Sequence, residues 1–269
     1  RLIAFDREVP EGESPRVWLM NEHGTNRRPL PRVQRDSRQP RWSPDGRHLL
    51  YWVRNGGIWI ARPDGTGRRR IAPHAVEAAW APDGKRVVLV GKSTRAHCTD
   101  LFSMNLDGSN VRRLTLTRAC EDSPSWSPDG RRIAFRAQTD YHGSHIVAIN
   151  APGSSSRNQV LFGKGEAPRW SPDGKRLAFV DLEKPTIHIN TADGTLESSL
   201  DLTGPNLGVG LSGFAWTNDG SGFVYAIREV TETLGKYGTR LYRIGLDGTN
   251  RKLLTQGDAE KHPDVQPLR

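Results

Sequence analysis

Few residues in this 269-residue chain have the means to do chemistry, and those few recur at a regular spacing. Carboxylates stand three or four positions before a tryptophan: Glu77 before Trp80, Asp122 before Trp126 and Glu166 before Trp170. Ser212 and Arg38 hold the matching places before Trp216 and Trp42, and Lys261 and His262 hold them in the C-terminal segment. Carboxylates gathered beside cations can bind a cation or a peptide terminus. General acid–base chemistry needs a carboxylate pair held in a shielded cleft, and sequence spacing alone supplies none. A water-filled passage lined by polar side chains accounts for the same set. Tyr141, His142, Lys236 and Tyr237 add polar and aromatic groups within two of the longest irregular segments. Together with Glu77, Asp122, Glu166 and His262 they are the candidate binding residues.

The two cysteines, Cys98 and Cys120, leave three readings open. A disulfide would close 21 intervening residues, contribute on the order of 3 kcal/mol and place the chain in an oxidising compartment. Free thiols are the second reading. The third is a metal site with His97, His142 or His145, although no Cys-x-x-Cys spacing supports one. No metal and no cofactor is expected.

Other chemical signatures dissolve on inspection. Gly208 to Gly213 fits Gly-x-Gly-x-x-Gly, but no helix follows to receive a pyrophosphate, so it reads as a glycine-rich loop. Ser212 lacks the spacing of a nucleophile elbow. His188 occupies a position that holds Trp18, Trp59, Phe102 and Tyr242 in other repeats, which predicts a packed core histidine. Trp52 is one step past the Tyr51 column and is the tryptophan expected to be accessible.

The elements that position these residues come from one phrase repeated five times. It reads Trp42-Ser-Pro-Asp-Gly46, Trp80-Ala-Pro-Asp-Gly84, Trp126-Ser-Pro-Asp-Gly130, Trp170-Ser-Pro-Asp-Gly174 and Trp216-Thr-Asn-Asp-Gly220, at steps of 38, 46, 44 and 46 residues. A period of roughly 40–50 residues with one tryptophan and a tight Asp-Gly turn per unit signals a β-propeller. Each unit holds a short strand ending near the Trp, a turn, an apolar strand such as Ile133-Ala-Phe135 and an alternating strand such as Ile146-Val-Ala-Ile149. A second Asp-Gly turn and a short outer strand complete it.

The N-terminus supplies the second, third and fourth strands of a further unit, and the C-terminus supplies its first strand, with Val265 in the Trp position. The expected fold is all-β: one six-bladed propeller over 1–269, with four antiparallel strands per blade and the ring closed by the C-terminal strand. The blades fall at about 1–34 with 260–269, 37–73, 75–117, 121–163, 165–202 and 209–256. Closure of this kind removes the open edges that an array would expose.

The Trp-Ser-Pro-Asp-Gly repeat resembles the propeller repeat of the TolB family across essentially the whole chain. That resemblance implies the six-bladed ring. For function it implies a module used in periplasmic scaffolds, in propeller domains attached to peptidases and in some sugar-acting enzymes. Read on its own, the sequence leads us to expect no N-terminal α/β domain of the TolB type before the propeller.

Topology places both Asp-Gly turns of every unit on one face and the variable loops on the other, where binding on a rigid scaffold usually resides. The longest loops run over 6–16, 91–100, 136–145 and 228–239. The formal net charge is +9, and the surplus cations follow the turns, as in Arg131-Arg132 and Lys175-Arg176. A basic face could meet anionic lipid, nucleic acid or an acidic protein, or it could be a solvated surface neighbouring turn carboxylates. Stacking aromatics among the cations are missing, which argues against nucleic acid. No apolar run reaches the roughly 18 residues of a membrane-spanning helix.

The expected function is a non-catalytic protein-binding or scaffolding subunit of an extracytoplasmic complex, periplasmic or extracellular. Its partners would be proteins of a membrane-associated or cell-envelope assembly, met through the variable-loop face around the channel. One alternative is an enzyme: a propeller acting on glycans, or the accessory domain of a peptidase. A second alternative is a structural subunit docking its basic face on a membrane surface or a filament neighbour.

Overall fold

A computed structural model of the chain describes residues 1–8, 14–93, 98–139, 143–152, 159–203, 207–230, 237–256 and 259–267. The repeated phrase builds the same turn each time. In the clearest copy the Ser127 hydroxyl donates to Asp129 Oδ1 (2.6 Å) and accepts from the Arg132 N–H (2.9 Å), while Asp129 accepts from the Arg131 N–H (3.0 Å). Gly130 takes φ 72°, a conformation that costs a residue with a Cβ but not glycine. The same bonds depress the turn aspartates. Asp219, which accepts the Thr217 hydroxyl, is held down to about 2.

These turns join strands into six four-stranded antiparallel sheets. The first comprises β1 (Leu2–Arg7), β2 (Arg16–Asn21) and β3 (Arg28–Pro29), and the second β4 (Ser37–Trp42), β5 (Leu49–Val53), β6 (Gly57–Ala61) and β7 (Arg69–Ala72). The third holds β8 (Glu77–Trp80), β9 (Arg86–Lys92), β10 (Thr99–Asn105) and β11 (Arg112–Arg113), and the fourth β12 (Cys120–Trp126), β13 (Arg132–Thr139), β14 (Gly143–Asn150) and β15 (Gln159–Lys164). The fifth consists of β16 (Glu166–Trp170), β17 (Arg176–Val180), β18 (Thr186–Thr191) and β19 (Leu196–Asp201). The sixth is β20 (Leu207–Trp216), β21 (Gly222–Val230), β22 (Tyr237–Gly245) and β23 (Lys252–Leu253). The last strand, β24 (Glu260–Val265), pairs antiparallel with β1, with Ile3 opposite Val265, and completes the first blade.

The core lies between blades rather than within them. Each of six apolar clusters joins two adjacent blades, and five contain the repeat tryptophan of the later blade. At the seam between the sixth and first blades, Val265 stands where the tryptophan would be. A blade cannot bury its faces alone, so burial itself drives the ring to close.

Two local expectations are corrected. Gly208 to Gly213 is not a loop: it belongs to β20, an innermost strand whose register against β21 shifts twice. Gly210 and Gly213, both at φ 131°, absorb those irregularities. His188 is not in the core either. Its column is half-buried, and the ring bonds Ser199 Oγ (2.8 Å) and Asp181 Oδ2 (3.1 Å).

Candidate functional site: the two ends of the channel

The innermost strand of each blade lines the central channel, and in five blades it carries a register shift shortly before the Trp position. At these bulges Gln39, Ser123, Ala167 and His262 adopt φ between 47° and 53°, and Gly213 adopts 131°. A bulge sets two residues against one on the neighbouring strand and re-aims both. In the fourth, fifth and sixth blades positions three and four before the tryptophan therefore both face the channel mouth, and in the first and second blades position three does. Blade three is the exception: β8 pairs in register from Glu77 onward.

The mouth is a cavity of about 430 Å³ lined by Glu77, Asp122, Glu166, Ser212 and His262, which come from five different blades. Trp52 lines it as well and is half-buried. Arg38 and Lys261 do not contribute to this lining. Both turn to Glu8, at 3.1 and 3.0 Å, and hold its carboxyl below the ordinary range despite partial burial. Tyr141, His142 and Lys236 lie outside the described residues, and Tyr237 is described only as the first residue of β22.

Arg136, on β13, organises the carboxylates and was missed in the sequence because nothing in its spacing marks it. Its Nε donates to Asp122 Oδ1 (2.8 Å), and its Nη1 reaches Glu166 Oε2 (3.3 Å) in the next blade. The Asp122 hydrogen bonds hold the Arg136 guanidinium above its ordinary value against the effect of burial, and the charges of Glu166 and Glu77 add to this. Glu77 reaches the other way, accepting the Ser123 N–H at the next blade's bulge (2.9 Å). Where β24 closes the first blade, fully buried Asp6 meets His262 Nδ1 (2.8 Å) and accepts the N–H of Gln39 from the second blade (3.0 Å). The rim thus presents three carboxylates, Glu77, Asp122 and Glu166, around one arginine, and backbone N–H groups fix Glu77 and one further acid, Asp6. It can recognise a positively charged or hydrogen-bond-donating group.

The opposite end is built differently. A second cavity of about 450 Å³ is walled by Trp42, Trp80, Trp126, Trp170 and Trp216 and by turn prolines that include Pro44, Pro82, Pro128 and Pro172. Around it, cations that follow the turns lie over the next blade's tryptophan. Arg132 sits 4.5 Å from the Trp170 ring, Arg86 5.2 Å from Trp126 and Arg176 5.7 Å from Trp216. Arg86 also pairs with its turn acid Asp83 (2.8 Å). These three arginines therefore lie along the edges between blades.

On the variable-loop side, Cys98 and Cys120 are joined in a disulfide, with S–S 2.04 Å and Cα–Cα 4.9 Å. It ties the start of β10 to the inner strand of the next blade. Among the described residues, no helix is long and apolar enough to cross a membrane.

Comparison with known proteins agrees with this architecture. The family model described as the TolB beta propeller domain matches residues 3–267. The Tol-Pal system protein TolB of Anaeromyxobacter dehalogenans is 33% identical over 92 residues, which cover 32% of this chain and 21% of that protein. A Bacillus subtilis protein named uncharacterized peptidase YuxL is 29% identical over 141 residues, covering 51% of this chain and 20% of its own. The chain thus spans about a fifth of the length of these curated relatives. In fold it superimposes on TolB from Acinetobacter baumannii with a TM-score of 0.81 at 18% identity, covering 99% of this chain and 67% of the other. With the repeat matched from the first strand to the last, the chain belongs to the TolB β-propeller domain family.

Proposed function

We propose that the chain is a protein-binding module of an extracytoplasmic, cell-envelope assembly that takes a segment of its partner into the channel mouth on the variable-loop face. The observation that carries this reading is the preorganised rim. Glu77, Asp122 and Glu166 are held by Arg136 and a bulge N–H, so they can meet a ligand without reorganising. A cavity of about 430 Å³ admits a few residues of an extended chain. Membership of the TolB β-propeller domain family supports a protein partner, since one relative is named a Tol-Pal system protein. The disulfide supports an oxidising compartment.

A photo-crosslinking residue at Ser212, compared with one at Lys175 on the turn face, tests the placement in cells of the native source. A specific adduct from position 212, weakened in Glu77→Gln/Glu166→Gln, is expected. Adducts from position 175 alone would overturn it.

A second reading has its own support: the match to a protein named a peptidase covers half the chain. As an accessory domain the propeller would filter peptides on the way to a catalytic unit. The two readings share the mouth as the contact site.

A further inference from the structure

The waist of the channel, between the two cavities, carries charges that neither the rim nor the turns explain. The residue immediately before each repeat tryptophan, and before Val265, is Arg41, Ala79, Ser125, Arg169, Ala215 or Asp264. All six line the turn-side cavity, and Arg41 and Arg169 line the mouth cavity as well. Three small side chains leave the lumen open, and the two arginines enter it from the second and fifth blades, opposite each other in a ring of six.

Neither arginine has a carboxylate within 4.0 Å among the described residues. Arg41 Nη1 donates to the Pro40 carbonyl (3.0 Å) and Arg169 Nη1 to the Pro168 carbonyl (2.9 Å). Arg169 Nε is buried without a hydrogen-bond partner among the described residues. The remaining waist charge, Asp264, has one carboxylate oxygen on the Trp42 backbone N–H (2.6 Å). Arg41 and Arg169 are both half-buried, and both side chains reach the lumen. Burial and the charge of Arg41 push the Arg169 guanidinium down to about 9, which still leaves it cationic near neutrality. Two half-buried cations against one carboxylate leave the waist a surplus positive charge that an anion would complete.

We propose that the waist is a carboxylate-binding site, in which Arg41 and Arg169 together receive one carboxylate carried by the segment that enters through the mouth. This deepens the proposed function and rests on the mouth being the entry. The planar guanidinium fork matches a carboxylate in two-point geometry, and Arg169 Nε is a donor already stripped of water. The rim contributes the selectivity. Its acidic surplus disfavours a freely diffusing small anion and favours a carboxylate that follows neutral or cationic groups past Glu77, Asp122 and Glu166. The channel is therefore polar along its axis, acidic at the rim and basic at the waist.

The test uses three N-acetylated alanine–glycine hexapeptides with the protein as it stands. One has a free C-terminal carboxylate, one is the C-terminal amide, and one is the amide with an internal aspartate. Arginine Nε–H resonances are followed by NMR, with Arg41→Met and Arg169→Met to assign them. A carboxylate peptide is expected to shift both resonances saturably, and the plain amide to shift neither. The free-acid and aspartate peptides separate a chain terminus from a side chain as the source of the carboxylate. Each methionine variant is expected to lose at least about tenfold in affinity, equivalent to ~1.4 kcal/mol.

Equal responses to acid and plain amide would overturn the proposal, as would no response up to about 10 mM, a concentration that detects even weak contacts. The contrast between peptides needs no variant, so a misfolded mutant cannot obscure it. If a partner cross-links at Ser212 while no carboxylate peptide binds, the waist site fails alone. If peptides bind the waist but no partner cross-links at the mouth, the proposed function fails instead.

Discussion

Trp216 donates its indole N–H to the backbone carbonyl of Arg169, 2.9 Å away and one blade upstream. Trp80 does the same to Arg41 at 3.1 Å. The Trp126 indole N–H is buried with no such partner among the described residues. Trp126 and Trp216 each carry a cation over the ring and sit between blades, and Trp216 adds the hydrogen bond and a ring contact with Phe223 at 4.4 Å. Trp216→Phe is therefore expected to cost about 1 kcal/mol more than Trp126→Phe. Urea unfolding of the two variants checks this; equal losses would mean that packing alone sets the cost.

Arg136 couples two blades through Asp122 and Glu166. Arg136→Met leaves two carboxylates facing each other at the rim and should cost about 1–3 kcal/mol. Adding Asp122→Asn should restore part of that loss, giving a coupling of roughly 1 kcal/mol in the double-mutant cycle. Strict additivity would show that the bridge contributes nothing to the fold.

The disulfide joins residues 22 apart. In the chain-entropy account its loss destabilises the fold by about 3 kcal/mol. Melting with and without reductant, confirmed by alkylation mass, measures this. An unchanged Tm after verified reduction would refute it.

Beside that disulfide, Glu121 is fully buried and accepts the hydroxyls of Thr115 (2.7 Å) and Thr117, with Asp100 nearby. Burial pushes its carboxyl above 4.5; the two hydroxyls oppose this, and the charge of Asp100 reinforces it. The folded state then binds the proton more tightly than the unfolded chain. Its stabilising contribution is complete below pH 4.5 and is lost as pH rises through the folded value. Glu121→Gln has no proton to lose. Its stability relative to the native protein should increase as pH rises from 4.5 toward neutrality, by ~1.4 kcal/mol for each unit of displacement. Parallel stability curves across that range would refute the assignment. Glu260, placed five residues before Val265 as Glu121 is before Trp126, is displaced in the same direction by burial and should be varied separately.

The ring was legible in the amino acids alone because each Trp–turn phrase is a local structure and an isolated blade cannot bury its own faces. Five copies and a split sixth, with Val265 in the tryptophan's place, leave closure as the way to cover both ends. The candidates Glu77, Asp122, Glu166 and His262 could be listed from their distance to the tryptophan, and all four line one cavity. Tertiary structure decided the rest. Side chains on a strand alternate faces, so one extra residue at a bulge changes which of them enter the channel, and the pattern of polar residues does not reveal a bulge. The tertiary fold likewise brought Arg136 from a second strand onto Asp122 and Glu166, sent Arg38 and Lys261 to Glu8, and set Arg41 opposite Arg169, 128 residues later in the chain. Those pairings depend on where six blades meet around an axis, and no interval along one chain encodes that distance.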